Sequence, residues 1–405
     1  MQKGFFRSNK VISHWDTWIH FYDGKYYLYY LATLDDKAMW SGFGLAISSD
    51  GVSWDDYGIV LEASDKMVYY MGTGSVWKSP DFEKSRTFIC NYSENQMLDG
   101  KNRMQRILFA TSKDLVNWHK KDNTIFDVDE KYYKKLGRWD CIYALPFKDG
   151  KFLGTWTGTP NAREDGGIAF GYSTDGIHWQ TMDNLGVDDT VNESGAIEFI
   201  DGKYIAMFGH GDIGMIAYSS NNFNGPYEKC LNNSFFLSKY TYFSRFFYKD
   251  NELLVNHHAY GKIPNAIYFS PIKKPVFKED SLWLYYWHGN DKLKELGNKK
   301  KSNFDPKSCI FIEGFISNNE EIIISHGNNK TSIKYINKEL VISGSDENRN
   351  ITREIDFEEN IHIIIILKDN IFEVYFNEIY MASHSLPEVF NGFIKGKNID
   401  IYEIR

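Results

Sequence analysis

The chain alternates short apolar, aromatic-rich runs with polar breaks, and one break keeps its spelling. Asp-Gly-Lys parts two such runs at Phe21-Tyr22-Asp23-Gly24-Lys25-Tyr26, at Phe147-Lys148-Asp149-Gly150-Lys151-Phe152 and at Phe199-Ile200-Asp201-Gly202-Lys203-Tyr204. A looser copy stands at Tyr248-Lys249-Asp250-Asn251-Glu252. Asp-Gly between β-prone runs predicts a tight hairpin, because glycine supplies the positive φ that a two-residue turn needs. A second break alternates with the first and ends in tryptophan: Ser49-Asp50-Gly51-Val52-Ser53-Trp54, Ser112–Trp118 and Ser173–Trp179. Two hairpins in fixed alternation make a four-stranded unit, and repetition at roughly 50–65 residues predicts a β-propeller. Five blades are expected, starting near His14, Gly72, Arg138, Glu193 and Tyr240, the second with a diverged hairpin at Val76–Asn91.

Towards the C-terminus the pattern changes. A polar, Lys-rich stretch at Asn290–Ser302 gives way to Ile-rich runs such as Glu321–Ile324, Ile361–Leu367 and Ile371–Phe376. Short strands with Asn, Gly and Asp at their turns predict an antiparallel β-sandwich. The expected fold is therefore all-β: a five-bladed β-propeller over residues 1–280, a linker over 281–302 and a C-terminal β-sandwich over 303–405.

Composition narrows the function classes. The 405 residues leave room for more than one domain, and the formal net charge of −8 argues against nucleic acid or an anionic membrane as partner. No run has the length of a membrane span, and the N-terminal Met1–Ser8 lacks the apolar core of a signal peptide. The four cysteines are scattered without metal spacing, which fits reduced thiols in the cytoplasm. His210, His257 and His258 follow apolar runs but show no zinc spacing, so neither a metal nor another cofactor is expected.

In a propeller the innermost strand of each blade lines the central funnel. Asp16, Asp140 and Glu193 precede the Asp-Gly-Lys turn of their own blades by seven to nine residues, a shared offset that places them at equal depth. Three carboxyls meeting in one funnel suit glycoside hydrolysis: a nucleophile or base, a proton donor and a group that stabilises positive charge on the sugar. Glu164, Asp165, Asp188, Asp189 and Asp212 lie in polar, Gly-containing segments and read as loop residues, while Glu198 is the one local rival to Glu193. Trp15, Trp18, Trp40, Trp77 and Trp139 are available to pack against a sugar's C–H face. His14 and His20 share strand parity with Asp16, Arg138 shares a face with Asp140, and Arg245 follows in the fifth blade. Thr73 and Ser75 are expected to hydrogen-bond substrate.

Over about the first 280 residues the order of these elements resembles the five-bladed propeller glycosidases of glycoside hydrolase families 32, 68 and 43, family 32 most of all. The His14–Tyr30 region stands where family 32 has its nucleophile motif and Gly-Lys-Tyr hairpin, and Trp40–Ser48 is similar to the Trp-Gly-x-Ala-x-Ser strand that follows. Gly72-Thr73-Gly74-Ser75 resembles the Ser-Gly-Ser segment, Arg138-Trp139-Asp140 replaces Arg-Asp-Pro, and Glu193-Ser194 replaces Glu-Cys. The run Phe372–Asn377 is similar to the sandwich that the family appends. The resemblance implies that Asp16 is the nucleophile, Asp140 the transition-state stabiliser and Glu193 the general acid/base. Trp15, Thr17 and Trp18 replace the family's Asn and Pro residues around the nucleophile, so the resemblance carries the fold further than the substrate.

The expected activity is retaining hydrolysis of small furanosides, fructosides or related oligosaccharides. Three alternatives stand beside it: an inverting, family 43-like glycosidase, a phosphorylase or transglycosylase, and a carbohydrate-binding propeller without chemistry.

Overall fold

The structure, a computed structural model, describes residues 1–34, 39–64, 68–97, 100, 102–210, 214–231, 241–261, 267–337, 339–344, 349–352 and 360–405. Tyr240 and Asp212, both named above, lie outside the described residues.

Each Asp-Gly turn forms as its chemistry dictates. Asp23 and Gly24 have φ of 48° and 72°, and Asp201 and Gly202 have 48° and 85°, the left-handed pair of a two-residue hairpin. The second break owes its recurrence to a small hydrogen-bond network. Ser48 Oγ donates to Asp50 Oδ1 (3.0 Å), which accepts the backbone N–H of Val52 and of Ser53 (2.9 and 2.7 Å). Ser112 with Asp114 and Ser173 with Asp175 repeat the arrangement, each carboxylate again taking two backbone N–H groups. Trp54 and Trp179, which close two of these turns, are buried between blades.

The strands assemble into the five-bladed propeller. Ser13–Tyr22, Trp139–Pro146, Glu193–Ile200 and Thr241–Lys249 are the innermost strands of blades one, three, four and five, each paired antiparallel with the strand after its turn. In blade two the inner position is split between Val68–Gly72 and Val76–Lys78, both paired with Phe88–Met97. The intact inner strands share a second feature: a β-bulge. Register slips at Asp16 in blade one, between Asp140 and Tyr143 in blade three, at Gly195 in blade four and at Phe243 in blade five. A bulge adds one unpaired residue and breaks strict alternation of faces.

Residues 281–302, expected as a linker, instead carry the strand Ser281–Tyr286 and the helix Asp291–Leu296. That strand extends the sheet of blade five, and Tyr285 pairs with Ile379 in the C-terminal domain. One eleven-stranded sheet thus runs from blade five into the sandwich, where a second sheet of five strands faces it across an Ile-rich core. Lys273 and Glu373, both fully buried, pair at 2.7 Å across the seam, and Tyr375 and Ser383 donate to the same carboxylate (2.5 and 3.2 Å).

Candidate active site

A cavity of about 670 Å³ opens at the N-terminal ends of the inner strands. Its wall brings together Asp16, Asp140 and Glu193, with Trp15, Trp40, Thr73 and Arg138 among the other expected residues. Tyr70, Tyr242 and Tyr260 complete an aromatic rim that sequence reasoning did not assign to the site.

The bulges explain which side chains arrive. Asp16 is the extra residue of its strand, so it and its neighbour Trp15 both reach the cavity instead of alternating. His14, expected in the funnel by parity with Asp16, and Trp18, expected as a platform for sugar, are turned into the core. His14 Nε2 contacts the carbonyl of Ile267 and its ring packs edge-on against Tyr30 at 5.3 Å, while Trp18 stacks on Tyr29 at 5.7 Å.

Of the two oxygens of Asp16, Oδ2 accepts the hydroxyl of Thr73, and Oδ1 has no hydrogen-bond partner among the described residues. His258 Nδ1 lies 3.9 Å from Oδ1, and burial lowers that imidazole to about 3, so it is uncharged near neutrality. Burial, and after it the charge of Glu193, pushes the Asp16 carboxyl well above the usual carboxylate range; the Thr73 hydroxyl, Arg245 and Arg138 pull it the other way.

Asp140 and Glu193 are tied together by one guanidinium. Arg138 Nη2 donates to Glu193 Oε1 at 2.8 Å and lies 3.2 and 3.3 Å from the two oxygens of Asp140. Spacing by two residues on one strand face permits this, as the sequence predicts. Gln105 Nε2 also donates to Asp140 Oδ2 (2.8 Å) while its Oε1 accepts the backbone N–H of Trp139 (3.1 Å). The Tyr242 hydroxyl donates to Glu193 Oε2 at 2.8 Å. Tyr242 precedes Asp250 by eight residues, the same offset that separates Glu193 from Asp201, so the signal was present and only its residue type hid it.

Two glycines make this approach possible. A Cβ at Gly209 would sit 2.4 Å from the Tyr242 hydroxyl, and one at Gly72 would sit 2.2 Å from Ser93 Oγ and 3.1 Å from Asp140 Oδ2. The aromatic wall is continuous: Trp15 stacks near Trp40 at 6.3 Å and near Tyr260 at 6.2 Å, and Tyr70 stands edge-on to Trp40 at 6.2 Å. Trp40 holds a left-handed φ of 52°, with its carbonyl fixed by the Met71 N–H at 2.7 Å. Such a conformation costs on the order of 1–3 kcal/mol and persists where the surroundings hold it.

Three more expected contacts lie away from this cavity. Ser75 donates its hydroxyl to the Ile142 carbonyl at 2.6 Å and serves the seam between blades two and three. Trp139 is core, its indole N–H on the Phe126 carbonyl at 3.0 Å. Arg245 is buried below the acids, where its two terminal nitrogens bind the carbonyls of Gly195 and Cys141 at the bulges of blades four and three. Among the rival acids, Glu164 is fully exposed, Asp165 and Asp188 accept local backbone N–H groups, and Glu198 faces a different cavity. His257 and His258 diverge: the first lies 3.8 Å from Glu373 at the domain seam, the second beside Asp16.

Comparison with known proteins agrees with this architecture. The model of the glycosyl hydrolases family 32 N-terminal domain matches residues 17–262. Among solved structures, the sucrose-6-phosphate hydrolase of Lactobacillus gasseri is similar with a TM-score of 0.79 at 13% identity, covering 100% of this chain and 93% of that one. The GH32 β-fructofuranosidase of Bombyx mori gives 0.76 at 14% identity over 100% and 94%. The fructan 1-exohydrolase IIa of Cichorium intybus gives 0.71 at 12% identity over 100% and 97%. No curated protein sequence matches the chain. With more than half of its length matched by the family model, the chain belongs to glycoside hydrolase family 32 and is an enzyme of O-glycosyl bonds.

Proposed function

We propose that this enzyme hydrolyses small furanosides, fructosides or related oligosaccharides, with retention of configuration. The observation that carries the reading is the meeting of Asp16, Asp140 and Glu193, from three blades, in one cavity with an aromatic wall. The unpartnered Oδ1 of Asp16 is the nucleophilic oxygen, since Thr73 occupies Oδ2. As Oδ1 bonds to the anomeric carbon, Glu193 gives its proton to the leaving oxygen, and a glycosyl-enzyme forms. Glu193 then takes a proton from the water that attacks the anomeric carbon, and Asp16 leaves as the carboxylate. Asp140, held by Arg138 and Gln105, accepts hydrogen bonds from sugar hydroxyls that strengthen as positive charge develops on the ring. Trp15, Trp40 and Tyr260 pack against the sugar's C–H faces.

The same catalytic groups would serve transfer to a second sugar, so product identity is part of the test. We place the enzyme in the cytoplasm, on its four free, buried thiols. No described helix is long and apolar enough to cross a membrane. The test is reducing-sugar release and product anomer analysis on fructo- and arabino-oligosaccharides, with Asp16→Asn and Glu193→Gln beside the wild type. Loss of turnover in both folded variants, and a first product of retained configuration, is expected. Wild-type inactivity on every furanoside would overturn the substrate reading, and an inverted product the nucleophile.

A further inference from the structure

The inner strands that present the acids continue past them and build a second cavity. Phe21 to Asp23 of blade one, Tyr143 of blade three, Glu198 of blade four and Phe246 to Tyr248 of blade five all line it, with Trp77 and Lys78 from blade two. On this strand the first cavity is lined by Asp16 and the second from Trp18 onward, two residues or about 7 Å apart at ~3.3 Å per residue. Arg245 belongs to the second lining, its terminal nitrogens on the Gly195 and Cys141 carbonyls. The second cavity encloses about 680 Å³, within the ordinary range for a small-ligand site.

Its chemistry is that of a polar ligand with flat apolar faces. Tyr22, Phe82 and the half-exposed Tyr248 supply aromatic surface. Within the lining, Arg245 Nε and His20 Nε2 are buried without a partner among the described residues, and leaving such groups dry costs free energy that a hydroxyl-bearing ligand would recover. Glu198 accepts the hydroxyls of Tyr143 and Tyr248 at 2.6 and 3.2 Å, and burial raises it to about 7, so it offers both donor and acceptor near neutrality. Asp23, Glu83 and Asp250 around the lining oppose an anion, while Arg245 and Lys78 oppose a cation.

We infer that this lower cavity is a second, non-catalytic binding site for a neutral mono- or disaccharide. It does not depend on the furanosidase reading, because binding there involves none of the three acids. The experiment is calorimetric titration of the full chain bearing Asp16→Asn with fructose, glucose, sucrose and maltose in turn. At least one binding event is expected that survives Asp16→Asn, and a second where the sugar also occupies the upper cavity. Adding Tyr248→Ala should weaken one event tenfold or more, and Tyr248→Phe, which keeps the ring, should weaken it about threefold. In the otherwise wild-type enzyme both changes should leave kcat/KM within twofold. One event weakened by Tyr248→Ala would already support the site, and no such event with any of the four sugars would overturn the inference.

Discussion

Glu198→Gln should raise stability at alkaline pH and change it little in acid. The carboxyl is buried and its pKa rises from 4.5 to about 7 on folding, burial being the largest cause and the Tyr143 and Tyr248 hydroxyls opposing it. The folded state therefore binds the proton more tightly than the unfolded state does. Its contribution is fully present below the unfolded value of 4.5 and is lost as pH rises through about 7. A rise of that size corresponds to roughly 3 kcal/mol above pH 8, against about 1 kcal/mol at pH 5. Glutamine stays neutral, so the stability difference between variant and wild type should grow by ~2.5 kcal/mol from pH 5 to pH 9. For a chain of this length unfolding as one unit, that is about 3 °C of Tm. Thermal melts of both proteins at a series of pH values provide the assay. A variant-minus-wild-type difference that stays flat with pH would refute the reasoning, whatever its sign.

Three further outcomes follow from the geometry. In the proposed mechanism Asp16 must be ionised to attack, so its raised pKa should place the loss of kcat/KM on acidification above the ordinary carboxylate range; on an activated furanoside that needs no proton donor, Glu193→Gln should shift this limb downward by removing a neighbouring charge. Gly209→Ala would set a Cβ 2.4 Å from the Tyr242 hydroxyl and displace it from Glu193; kcat should fall on the order of 10–100-fold with Tm nearly unchanged, as steady-state rates and melts would show. Lys273→Met would leave the fully buried Glu373 without its cation; urea unfolding should report a loss of about 3–5 kcal/mol.

Turn chemistry is local, which is why the propeller was legible. Asp23-Gly24 and its copies need only their own residues to set a left-handed pair, and Ser48 with Asp50 closes its turn within six residues. The shared offset of Asp16, Asp140 and Glu193 followed from counting strand residues back from those turns. The bulges did not announce themselves, since each is one extra residue inside an otherwise ordinary strand run. Parity then misplaced His14, and the positions of Ser75 and Arg245 depended on carbonyls far along the chain. Gln105 escaped notice for a similar reason: it sits on the second blade's middle strand and reaches Asp140 only across the seam. Val68–Gly72 was unreadable as a strand because Thr73–Ser75 interrupts the inner position of its blade.

The sheet that passes from Ser281–Tyr286 into Ile379–Ser385 makes the two halves of the chain poor candidates for separation. Cutting after the fifth blade would leave an apolar edge strand with unsatisfied backbone groups, a template for pairing with other copies. The cut would also strand Lys273 in an apolar setting with its counter-charge on the missing piece. Expressed alone, the propeller should therefore collect as insoluble aggregate, and co-expression with the sandwich half should restore soluble protein. The appended domain is in this sense a built-in solubility partner, joined to the catalytic half by the ladder it completes.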